Sequence, residues 1–123
     1  MNVHDFFERY ILYGAIITSW NWAESHRLVL EVDLSNLNQR DYSDIDPDFR
    51  PIIISLNRCS VSDTLGAGFD GFTAGDARII AADPIDFESF KLVFMHDVYD
   101  GGGEKLISIA IGSASISVVD ERF

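Results

Sequence analysis

The sequence predicts an α+β fold: a single curled antiparallel β-sheet of about six to seven strands, with an N-terminal α-helix packed on it. Three observations carry this. Helical spacing of apolar residues is confined to the first dozen positions. Runs with a period of two follow. Strands and helices never alternate, which argues against a parallel doubly wound sheet. The 123 residues show no break in composition, so one domain spanning 1–123 is expected. With 47% hydrophobic residues, the chain can bury a core without metal or disulfide staples.

The helix comes first. Val3, Phe6, Phe7, Tyr10 and Ile11 fall at i, i+3, i+4, i+7 and i+8, the stripe of an amphipathic helix. Asn2 is placed to cap it, Asp5 lies in the first turn where negative charge is favoured, and Gly14 is placed to end it. The first strand runs over Ile16–Trp22, with Ile16, Thr18, Trp20 and Trp22 on one parity. After a turn at Ala23–His26, Leu28, Leu30, Val32 and Leu34 alternate with Val29, Glu31 and Asp33, and the pair reads as a hairpin. Residues 35–50 form a polar loop. Further strands are expected at Ile52–Leu56, Ala77–Ala82, Phe90–Met95, Leu106–Ile111 and Ser115–Val119. Pro84 is expected to break the pattern after Ala82, because proline cannot donate to a ladder. Asp100–Gly103 reads as a hairpin loop and Gly112–Ser113 as a bend.

Charge is the most informative bulk property. Twenty acids against nine bases give a net charge of −11, more than the magnitude of about 2–8 that suffices for solubility of a small domain. Such a surface repels nucleic acid and anionic lipid, and it attracts a basic protein. The single cysteine, Cys59, excludes an intramolecular disulfide and fits a reducing, cytoplasmic setting. The N-terminal residues lack the basic stretch of a signal peptide, and no apolar run approaches the ~20 residues of a membrane span.

No motif assembles a catalytic or cofactor site. Gly66, Gly68 and Gly71 match the spacing of a dinucleotide-binding loop, but Asn57–Thr64 separate them from the preceding apolar run, and no helical periodicity follows. His4, His26 and His96 are scattered, with no metal-ligand spacing. Asp44, Asp46 and Asp48 match the first positions of an EF-hand loop, yet Phe49 stands where its glycine belongs and Ser55 where its glutamate belongs. Trp20 and Trp22, with Phe69 and Phe72, could stack bases, but the chain offers no positive groove to hold a phosphate backbone. Cys59 reads as a small core residue. The expectation is a non-enzyme without metal or cofactor.

The helix DFFERYIL, the hairpin IITSWNWAESHRLVLEVDLS and the strand-rich remainder ending in ISIAIGSASISVV give a pattern that resembles the small acidic immunity proteins of bacterial polymorphic toxin and contact-dependent inhibition systems. The resemblance covers most of the chain and brings no site motif with it. It implies stoichiometric binding to a cognate toxin domain, often a nuclease with a basic cleft. Opposite charge would steer that encounter and aromatic anchors would hold it. The expected contacts are Asp41, Tyr42, Asp44, Asp46, Asp48 and Phe49 in one loop, with Asp97, Tyr99, Asp100 and Glu104 around a hairpin tip. Two other readings stand beside it. One is a self-associating domain that pairs strands such as LISIAIGSASISVV into a homodimer. The other is a small-molecule site in which His26, His96 and Cys59 converge.

Overall fold

The computed structural model describes residues 1–24, 26–41, 43, 45, 47–63, 76–98, 103–113 and 115–120. A short helix, α1 (Val3–Arg9), precedes eight strands: β1 (Ile16–Glu24), β2 (Arg27–Ser35), β3 (Phe49–Asn57), β4 (Ser60–Asp63), β5 (Asp76–Asp86), β6 (Ser89–Val98), β7 (Gly103–Gly112) and β8 (Ser115–Asp120). They form one antiparallel sheet in the order β4-β7-β6-β5-β1-β2-β3-β8.

The sheet thus has eight strands rather than six or seven. The additional strand is β4, a four-residue segment with too little apolar alternation to show in the sequence. Arg58 adopts a positive φ of 50° and bends the chain between β3 and β4. On the facing side, β7 ends at Gly112 and β8 begins at Ser115. From one strand pair to the next the ladder keeps one register, with Asn57 opposite Ser115 and Ser60 opposite Gly112. The first and last strands of the order are therefore brought together at one corner, although the sheet is not closed. Gly112 serves this corner by its size: a Cβ there would lie 2.9 Å from the Ser60 Oγ.

The helix is shorter than its apolar stripe. Asn2 caps it with a full capping box, its side chain accepting from the Asp5 N–H while the Asp5 carboxylate accepts from the Asn2 N–H. It ends at Tyr10, which is extended, and Gly14 (φ 78°) serves the turn into β1 instead of the helix terminus. Val3, Phe6 and Tyr10 are buried as the stripe requires. β5 is longer than expected and runs through Pro84 to Asp86. Pro84 faces Phe90 of β6, and no strand pairs with the opposite edge of β5 at that point among the described residues, so the missing N–H breaks no ladder there.

The core lies on the inner face of the curled sheet. Leu28, Leu30, Val32 and Leu34 of β2 line up with Ile52, Ile54 and Leu56 of β3, with Phe90, Leu92 and Phe94 of β6, and with Ile107, Ile109 and Ile111 of β7, while α1 adds Phe6. A β-bulge between Ile17 and Ser19 shifts the parity of β1, so Ile17 and Trp20 are both buried there. Trp22, nearer the strand end, is 44% exposed.

Candidate functional site

The strand ends that flank the two segments expected to meet a partner lie at opposite ends of the strands. The β2–β3 connection, which holds Asp41, Asp48 and Phe49, lies at the end where β1 begins. Asp97 and Glu104, near the end of β6 and the start of β7, lie at the opposite end of the strands. The topology does not merge them into one surface. Tyr42, Asp44, Asp46, Tyr99 and Asp100 lie outside the described residues, as does the side chain of Asp97. So does the glycine loop with Phe69 and Phe72. Glu104 and Asp48 are exposed, and Phe49 is 46% exposed at the start of β3.

Asp41 is engaged within the molecule. Arg50, buried on the inner side of β3, reaches the Asp41 carboxylate at 3.3 Å with Nη1 and the buried Asp120 carboxylate at 3.7 Å with Nη2. The Tyr10 hydroxyl donates to Asp120 at 3.2 Å. This network joins the end of α1, the start of β3, the end of β8 and the loop after β2. Burial, reinforced by the charge of Asp120, pushes the Tyr10 hydroxyl above its usual pKa. The guanidinium Nε of Arg50 is buried without a hydrogen-bond partner.

Two buried amides hold the same loop in place, and no spacing or motif sets them apart from the chain's other polar residues. Asn36 donates through its side chain to the Pro47 carbonyl at 2.7 Å, and its N–H donates to the Asp48 carbonyl at 2.9 Å. Gln39 accepts from the Ile11 N–H and donates to the carbonyls of Ile11 and Ser35. The loop is thus pinned both to its own far end and to the segment after α1.

The outer face of β2, β3 and β8 has a different character. Glu31, Ile53 and Val119 share one cross-strand row, Val29, Ser55 and Ser117 the next, with Asp33 opposite Pro51. Ile53 is 38% exposed and Val119 63%. Neither Glu31 nor Asp33 forms an ion pair among the described residues. The one base described on this face is Arg27, at the far end of β2.

The Cys59 N–H donates to the His26 carbonyl at 2.7 Å, which is a backbone contact, and burial pushes its thiol up to about 11. His96 is buried on β6 between Ala77 and Lys105. Among the described residues, no three His, Cys, Asp or Glu side chains come together to hold a metal ion. No described helix is long and apolar enough to cross a membrane.

Compared with known proteins, the chain matches no family model, no curated protein and no solved structure.

Proposed function

We propose that this protein is an immunity-type inhibitor, which binds a basic bacterial toxin domain one to one and blocks the cleft that holds its substrate. The observation that carries this reading is the outer face of β2, β3 and β8. There Glu31 and Asp33 stand without an ion-pair partner among the described residues, beside the exposed aliphatic side chains of Ile53 and Val119. Carboxylates free of internal partners keep their full attraction for a cationic surface, and adjacent apolar side chains supply contact area once that surface has arrived. The net charge of −11 acts at longer range and steers the encounter. Asp48 and Phe49, exposed at the start of β3, add an acid and an aromatic ring beside this face.

Isothermal titration of the protein with the toxin domain encoded beside its gene tests this. The expected result is a one-to-one complex that weakens steeply with added salt, and a Glu31→Lys/Asp33→Lys variant that binds at least about tenfold more weakly. Absence of binding at low salt ends the proposal. Light scattering on the protein alone separates it from the self-association reading, since an inhibitor of this kind is expected to be monomeric before it meets its target.

A further inference from the structure

β5 is paired unequally along its two edges. On one side β6 follows it from Asp76 to Asp86. On the other, β1 accompanies it only at Ala77 and Arg78, and Gly14 and Ala15 carry the contact as far as Ile79. A bulge between Ile79 and Ala81 marks the point where β5 parts from β1. From Ile80 to Ile85 no strand occupies that edge among the described residues. The corresponding open edge of β8 is treated differently, because Met1 exchanges two backbone hydrogen bonds with Ile116 there.

Along the bare edge of β5 runs a groove. A cavity of about 360 Å³ lies between α1 and β5, where Phe7, Ile11, Tyr13, Ala82 and Pro84 supply apolar walls. A second cavity of about 250 Å³ continues it past Ile85 and Phe87. Tyr13, Ile85 and Phe87 are each about 60% exposed, at 60%, 59% and 65%. Glu8 and Asp86 line these cavities, the Asp86 carboxylate also accepting from the Glu88 N–H and the Ser89 hydroxyl, and Glu88 stands in the adjoining turn, whereas Arg40 is the one arginine or lysine among the described lining residues. His4, also in the lining, is paired with Glu8 at 3.1 Å.

We propose that this groove receives an extended segment of the partner protein, basic and apolar in alternation, which adds as a strand to the Ile80–Ile85 edge of β5. Strand addition supplies main-chain hydrogen bonds for affinity and pockets for alternate side chains for specificity. Apolar side chains of the guest would enter the groove, and its lysines or arginines would meet Glu8, Asp86 and Glu88. Pro84 offers a carbonyl but no N–H, so it limits the guest to registers that donate at that position. The partner's identity as a basic toxin rests on the reading above; the groove, its occupant's extended form and its charge rest on β5.

The test uses the full-length chain, labelled with nitrogen-15 and titrated with an octapeptide of alternating valine and lysine. Amide shifts are expected at Phe7–Tyr13 and, Pro84 excepted, at Ile80–Asp86, with slowed exchange among the N–H groups of Ile80–Asp83 and Ile85. The same peptide N-methylated at alternate residues is expected to bind at least about tenfold more weakly, because its main chain cannot complete the ladder. Shifts centred on Glu31 and Ile53, equal binding of the methylated peptide, or no shift at about 1 mM peptide, a concentration that detects weak complexes, would each overturn the proposal. The toxin domain then separates the two proposals. A Glu8→Lys/Glu88→Lys variant that binds the toxin as tightly as the unaltered chain removes the groove and leaves the inhibitor reading standing. An unaltered chain that binds the octapeptide but no toxin removes the inhibitor reading and leaves the groove.

Discussion

Two pairs of carboxylates, alike in sequence, have opposite fates. Asp41 and Asp120 converge on Arg50, with the side chain of Asp120 only 2% exposed and that of Arg50 9%. Glu31 and Asp33 stand on the outer face of β2 with no ion pair among the described residues. The first pair locks the end of β8 to the start of β3 and holds the loop beside them. The second is expected to contribute little to the fold, and under the proposed function it is the pair that meets the partner. A net charge is thus a poor guide to a docking surface until it is known which acids the fold itself has taken up.

The comparison can be broken most severely at Arg50. Arg50→Ala leaves Asp120 buried without its cation and is expected to cost about 3 kcal/mol, read from urea unfolding. A loss below about 0.5 kcal/mol, the range of ordinary surface changes, would mean that the network holds nothing together. Cys59 sharpens the contrast from the other side, as an ionisable group buried with no counter-charge. Its thiol, raised from 9.0 to about 11, is expected to react with iodoacetamide at pH 8 about a hundredfold more slowly in the native protein than in the urea-unfolded chain. The unfolded chain releases that proton near 9 while the folded one keeps it, so stability should fall as pH rises from about 9 to about 11. Tyr10, also raised, acts in the same direction at higher pH.

Tyr10→Phe removes the hydroxyl that donates to Asp120 and is expected to cost about 1 kcal/mol. The smallest effect belongs to the outer face. Glu31→Gln and Asp33→Asn are each expected to change stability by less than about 0.5 kcal/mol. A larger loss would show that these carboxylates also serve the fold.

Much of the architecture was legible in the residues. The alternation of Leu28, Leu30, Val32 and Leu34 marked the buried face of β2, and Asn2 with Asp5 marked the start of the helix. The failures have physical causes. β4 owes its place to the bend at Arg58 and to pairing with β7, neither of which leaves a local pattern. Pro84 was read as a break because the sequence does not say which edge of a strand lacks a neighbour. The bulge after Ile17 altered the parity of β1, and nothing in ITSWNW announces it. Of the expected contact loop, the sequence showed its acidity. It did not show that Asp41 faces Arg50, which is nine positions along the chain and buried on the next strand.

The unbroken register through the corner has a consequence for how the chain is made. β3 and β4 pair with β8 and β7, which are synthesised long after them. While the ribosome adds about 5–20 residues each second, the far edge of Ile52–Leu56 must wait until Ser115–Asp120 has emerged. A nascent chain lacking that last segment leaves an apolar strand edge uncovered, open to chaperones or to another unfinished copy.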